Sequence, residues 1–165
     1  MTLKYNNPAT WLFVGKAVGI GAVGIFAGQA LGFSNFLMPA LRKFSATSSL
    51  NVWCEAYTNA SPLQAACAVV SSVCLGGVYA KTGSKPFLLA AIGMLSVIPY
   101  TLVLMMPINK ELLSIRKSGG ASGDHVEALL QRWESRHQVR IVVSIAALGA
   151  SLYGALGGGH GGLSK

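Results

Sequence analysis

With 165 residues, 52% of them apolar and only 11% charged, this chain is too rich in apolar side chains for a soluble domain of its size. The net charge is +8, but the basic residues are scattered between the apolar runs and form no nucleic-acid-binding motif, so the charge reads as topology and lipid contact. These features set aside a soluble enzyme and a nucleic-acid partner and point to a chain embedded in a lipid bilayer.

A hydrocarbon core takes about 20 apolar residues per helix, and four stretches meet or approach that length: about residues 11–33, 63–80, 86–106 and 139–156. The expected fold is all-α, an integral membrane four-helix bundle forming one domain over residues 1–165. Its fourth transmembrane helix is extended by an amphipathic N-terminal part. An even number of spans places both termini and the turn from Lys81 to Lys85 on one side, and the longer connections on the other. That second side carries more Lys and Arg but over longer segments, so the positive-inside rule gives only a weak orientation. The first span is too long for a signal-peptide core and no small-residue cleavage site closes it, so it reads as a mature helix.

The residues up to Thr10 form a short polar lead-in. The first span then carries Gly15 with Gly19, and Gly24, Gly28 and Gly32, all at four-residue spacing. Such a ridge lets another helix approach closely, with packing inside the bundle favoured over a homo-oligomer seam. Lys16 can snorkel from the span's start, whereas Gln29 must find a partner inside the bundle. Ser34 to Pro62 reads as a long, membrane-hugging connection partly ordered around Pro39, Trp53 and Tyr57. The Asn59-Ala60-Ser61 sequon is weakened by Pro62, which suits the first turn of the second span. Cys67 and Cys74 in that span read as small packing residues, and with Cys54 they imply no disulfide framework. After a KTGSK turn the third span starts at Pro86, is kinked by Pro99, and closes on MPINK, which puts Asn109 and Lys110 at the membrane boundary. Arg116 to Gly123 is a flexible, glycine- and serine-rich stretch.

The fourth segment begins DHVEALLQRWESRHQVR and runs unbroken into an apolar span. Asp124 and Glu127 have the spacing of a capping box, which starts a helix there. On that helix Val126, Leu129, Leu130, Trp133, His137, Arg140 and Ser144 fall within roughly one third of the circumference. The inward-facing stripe thus ends in an imidazole and a guanidinium as the membrane begins. Glu134 and His137 share the Glu-x-x-His spacing of di-iron bundles, but a second pair and inward carboxylates are missing, because all five acids lie outside the spans. No metal is expected, and no organic cofactor. His125 sits in the helix's first turn, and His160 lies in a GGGHGG tail that lacks the strand-turn-helix setting of a phosphate loop. No catalytic triad is present.

The MPINK run from Met106 to Lys110, and Trp133-x3-His137-x2-Arg140 at the head of the fourth span, resemble the anthrone oxygenase family. Its members are small four-helix integral membrane proteins, formerly a domain of unknown function, and span number and spacing fit over nearly the whole chain. The resemblance implies oxidation of an anthrone to an anthraquinone by dioxygen, without flavin, haem or metal, in aromatic polyketide biosynthesis. The implied partners are an anthrone-type aromatic polyketide, dioxygen and the lipid bilayer. The organelle is left open between the endoplasmic reticulum and another endomembrane. An anthrone is a flat, apolar tricycle whose central methylene is acidic because the charge spreads into its rings, and the resulting anion can reduce dioxygen itself. Electron transfer, radical recombination to a peroxide and loss of water then give the quinone. A base, a cation, an amide donor and an apolar slot suffice. His137 would be the base, Arg140 or Asn109 would hold the oxyanion, Trp133 would stack on or wall the rings, and Gln29 would orient the substrate or peroxide.

The competing reading is a non-enzymatic membrane scaffold or small-molecule binding protein packed through its glycine ridge. Trp133 would then anchor at the interface, His137 would cap a buried carbonyl and Arg140 would snorkel to phosphate. It expects all three to be exchangeable without loss. A proton-coupled transporter would carry an acid within a span, and none is there.

Overall fold

The computed structural model describes residues 8–120 and 122–157, and among these the chain forms four long helices and no strand. They are α1 (Ala9–Leu41), α2 (Ala46–Thr82), α3 (Lys85–Ser118) and α4 (Gly123–Ala155), each long and apolar enough to cross a membrane. The all-α, four-span expectation is borne out. Residues 1–7 of the lead-in and His160 lie outside the described residues.

The helices are longer than the apolar runs that announce them. At about 1.5 Å per residue the 37 residues of α2 extend about 55 Å, well beyond a hydrocarbon core of about 30 Å. The stretch from Ser34 to Pro62 is accordingly no long connection: only residues 42–45 separate α1 from α2, and Pro62 lies inside α2. The cause is amphipathicity. Leu50, Trp53 and Cys54 are buried while Asn51, Glu55 and Thr58 face outward, so the segment is a helix with one packed face. At its start Ser45 Oγ accepts the Ser48 amide at 3.4 Å.

The same correction applies at the head of α4. The cap is Ser122, whose Oγ accepts the His125 amide at 3.4 Å, and Asp124 stands in the first turn, where a carboxylate still favours the helix dipole. Arg116 to Ser118 belong to α3, leaving 119–122 between the helices. Gly83 and Gly119 end α2 and α3 with φ of 68°, a left-handed closure in which each glycine amide bonds back to the carbonyl four residues earlier, at 2.7 and 2.9 Å.

Two helices widen in mid-course. Phe33–Leu37 in α1 and Thr101–Met105 in α3 are π-helical, and each is followed by a Met-Pro step, Met38-Pro39 and Met106-Pro107. A proline ring clashes with the carbonyl four residues back. The amide of the preceding methionine instead reaches five residues back, to Phe33 and Thr101 respectively. The irregularity expected from Pro99 is thus a wide turn between Pro99 and Pro107.

Each helix packs on its neighbours in sequence, and α1 closes the ring against α4. Two buried clusters result. One gathers Val23, Phe26, Leu75, Phe87 and Met94; the other, toward the 42–45 and 119–122 connections, gathers Met38, Trp53, Met105, Leu112 and Trp133. The glycine ridge of α1 divides. A Cβ on Gly19 would stand 2.7 Å from Leu75 Cδ2, so Gly15 and Gly19 serve the α1–α2 contact, whereas Gly24, Gly28 and Gly32 have nothing within 4 Å. Val18, Ile25, Val69, Leu89, Leu102 and Val142 form part of an exposed apolar exterior, as a lipid-facing surface requires.

Candidate functional site

The buried face of α4 carries Trp133, His137 and Arg140 at the level where the two clusters meet: Trp133 belongs to one and Ile141 to the other. Three or four residues apart on a helix, these side chains are neighbours. The Trp133 and His137 rings stack with centroids 4.5 Å apart and planes 13° from parallel, and Phe33, from the wide turn of α1, leans on both at 5.7 and 5.9 Å. His137 is 1% exposed and its Nε2 lies 3.0 Å from the Ala30 carbonyl oxygen. A carbonyl only accepts, so Nε2 carries the proton and donates. The lone pair therefore resides on Nδ1, which is buried and has no partner among the described residues.

A second chain of contacts starts at Trp133. Its indole N–H donates to Asn109 Oδ1 at 2.9 Å, and Asn109 Nδ2 donates to the Tyr57 hydroxyl at 3.2 Å. Tyr57 is stacked on Trp53 at 5.0 Å with the planes 3° apart, and Trp53 in turn meets Trp133 edge-on at 5.4 Å. Three helices are thus joined through α2 (Tyr57), α3 (Asn109) and α4 (Trp133).

Arg140 is buried and lies in none of the ion pairs of the described residues, which are Arg42–Glu134, Arg116–Glu55 and His125–Glu111. Its guanidinium donates to Gln64 Oε1 at 2.6 Å, sits 5.0 Å above the Phe26 ring centroid, and touches Met105 Sδ at 3.9 Å. Arg140, Gln64, Phe26 and Tyr57 line one cavity of about 360 Å³ whose remaining walls are mostly apolar, from Pro62, Ala65, Ala68 and Val69 of α2 and Val97, Ile98, Leu102 and Met106 of α3. That volume falls in the roughly 300–1,000 Å³ range of small-molecule sites. Val69 and Leu102, 50% and 57% exposed, place the cavity's rim on the apolar exterior.

Several polar groups of this cavity's residues are donors without an acceptor. Arg140 Nε and Gln64 Nε2 are buried without partners, and the Tyr57 O–H, whose oxygen already accepts from Asn109, finds no acceptor among the described residues. A buried cation without a carboxylate is costly, and so is a buried donor left unpaired. Both costs fall when an occupant brings oxygen acceptors and negative charge.

Of the residues singled out from the sequence, Arg140 lines the cavity. Trp133, His137 and Asn109 stand behind its wall, joined to it through Tyr57 and through Arg140 one helical turn on. Gln29 is not on the lining; its Oε1 is buried without a partner. Glu134 is engaged by Arg42 at 2.6 Å, while His137 turns to Ala30, so the Glu-x-x-His pair does not converge. Among the described residues no three His, Cys, Asp or Glu side chains form a cluster that could hold a metal. Tyr57 and Gln64 were missed in the sequence because they fall on the stretch read as a connection and on its junction with the second span. The spacing Trp53-x3-Tyr57-x6-Gln64 marks one helical face and was the available signal.

The model of the family described as anthrone oxygenase matches residues 53–150, which takes in Tyr57, Gln64, Asn109, Trp133, His137 and Arg140. No curated protein and no solved structure matches the chain. The chain belongs to the anthrone oxygenase family.

Proposed function

We propose that this family member oxidises an anthrone-type aromatic polyketide to the corresponding anthraquinone with dioxygen, using no metal or organic cofactor. The observation that carries the reading is Arg140, a buried guanidinium without a carboxylate, set beside unpaired donors in an apolar cavity open toward the lipid face. A flat tricycle that partitions into the bilayer reaches such a cavity from the membrane. Its ketone oxygen meets Arg140 and Gln64, and charge that develops there on loss of the methylene proton is stabilised by N–H groups already in place. The proton acceptor is His137 Nδ1, the free lone pair left by the bond to Ala30. His137 lies outside the cavity lining, so the proton reaches it by a relay and not by direct contact. The carbanion transfers an electron to dioxygen, the radicals combine into a carbon–oxygen bond, and loss of water yields the quinone. Trp133 acts by fixing the imidazole plane and Asn109 by fixing Tyr57.

The test is purified protein in detergent, treated with chelator and free of flavin, given an anthrone in air. One dioxygen should be consumed per quinone formed, above the uncatalysed background. Activity lost on chelation and restored by one particular metal would overturn the cofactor-free reading. Binding of the anthrone without turnover would favour a small-molecule binding protein.

A further inference from the structure

Hydrogen-bond direction fixes what the Tyr57 hydroxyl can do. An indole N–H only donates, so the Asn109 oxygen must face Trp133, and the 2.9 Å bond between them sets which way the amide is turned. The Asn109 NH2 group then faces Tyr57 and donates at 3.2 Å. The phenol oxygen is committed as an acceptor, and its own proton is directed elsewhere. No acceptor for it exists among the described residues, and Tyr57 lines the cavity. Each bond in such a chain polarises the next, which strengthens the terminal O–H as a donor. The Trp53 stack holds the ring, so the proton is presented from a fixed position.

We infer that Tyr57 is a catalytic residue, the proton donor to the reduced oxygen of the substrate peroxide; this rests on the oxygenase reading above. The balance closes without an external reductant. His137 takes the first methylene proton, and the carbanion and dioxygen form a carbon–oxygen bond, leaving charge on the distal oxygen. That oxygen takes the Tyr57 proton to give the hydroperoxide and a tyrosinate. The tyrosinate removes the second proton from the same carbon, the C–H electrons form the new carbonyl, and the O–O bond breaks with release of hydroxide. Hydroxide takes the proton held by His137 and leaves as water. The carbon loses four electrons, dioxygen gains four, and both residues return to their starting states. Arg140 and Gln64 serve the ketone oxygen throughout.

Tyr57→Phe keeps the ring and its stack and removes the proton. In single turnovers with an anthrone in air, dioxygen uptake should persist while quinone formation slows by about 10²- to 10⁴-fold, the range for a positioned acid or base. Peroxide should accumulate, and the ratio of quinone to dioxygen consumed should fall below that of wild type. In wild type, quinone formation should be slower in deuterated water, since the transferred proton exchanges with solvent. Wild-type rate and stoichiometry in Tyr57→Phe would overturn the assignment. So would an equal fall in dioxygen uptake and quinone with no peroxide, which marks a residue that only shapes the pocket. If the variant does not fold, the absence of any solvent isotope effect on quinone formation in wild type overturns it. A wild-type protein that consumes no dioxygen removes the oxygenase reading itself, an outcome separate from those of the variant.

Discussion

The two buried clusters are built on different principles. Around Leu75, Phe87 and Met94 the polar side chains bond within their own helix: Ser71 to the Cys67 carbonyl, Ser144 to Ile141 and Ser151 to Leu148. Helices there meet by backbone approach, as at Gly19 against Leu75. Around Trp133 the bonds cross between helices: Trp133 to Asn109, Asn109 to Tyr57, Arg140 to Gln64, His137 to Ala30 and Gln138 to Ser34. Arg136 reaches across to the Leu104 carbonyl in the same way. The first arrangement suits lipid, where close packing drives helix association. The second fixes positions of polar groups and leaves some unpaired, which is what the proposed oxyanion site draws on. One half packs by close approach, and the other ties its helices together through side-chain hydrogen bonds.

The largest break in that comparison should come from His137, the proposed base. His137→Ala should lower turnover by about 10²- to 10⁴-fold while the detergent-purified protein still folds and binds the quinone product. Because the imidazole accepts a proton only when neutral, wild-type kcat/KM should fall toward acid with the titration of one group, and the variant's residual rate should lack that limb. Wild-type turnover in His137→Ala would make the interhelical network a scaffold and nothing more.

Removing the cation should cost slightly less. Arg140→Ala should lose about 10²- to 10³-fold, the range for a group aimed at a developing oxyanion. Arg140→Lys restores charge without the planar fork that donates to Gln64, so its rate should lie between the two. Equal rates in Arg140→Lys and Arg140→Ala would show that charge at this position is not what the reaction uses.

The other half responds in stability. In Gly19→Leu the added side chain meets Leu75 and Cys74, and overpacking of this kind costs about 1–3 kcal/mol. Gly28→Leu, on a face with nothing within 4 Å, should leave the monomer's thermal unfolding in detergent unchanged. Turnover per folded molecule should match wild type in both. A loss of turnover in Gly19→Leu at a temperature where it is fully folded would show the halves to be coupled.

How legible this was in the sequence follows from periodicity. Trp133, His137 and Arg140 share one stripe of one helix, so their burial together could be read from spacing alone. Asn109 followed from span order. Tyr57 did not, because Pro62 reads as a helix start and Ser34 to Pro62 is too polar to count as a span, although tertiary burial of Leu50, Trp53 and Cys54 carries α2 straight through the proline. Gln64 stood at the start of a recognised span whose inward face only Trp53 and Tyr57, earlier on the same helix, would have marked. The division of the glycine ridge was equally hidden: four-residue spacing places Gly24, Gly28 and Gly32 on a face but does not say which neighbour it meets. Membrane-spanning length was legible from apolar runs, and the helical extensions beyond the hydrocarbon were not, since amphipathic segments leave no such run.

The smallest effect should come from Gln29. It sits beside Ala30, whose carbonyl orients His137, yet its own Oε1 is buried with no partner and is absent from the cavity wall. Its role as a substrate-orienting group requires that the oxygen accept from a hydroxyl of the bound tricycle. Gln29 stands off the cavity lining, so its oxygen would meet a substrate only if the bound molecule reached beyond that lining. Without such contact the oxygen is an unsatisfied buried acceptor, a liability of about 1–3 kcal/mol. Gln29→Leu keeps most of the volume and removes that liability, so its unfolding temperature should equal or exceed that of wild type, with kcat and KM unchanged. A raised KM at constant kcat would instead place Gln29 on the substrate in the ground and transition states alike.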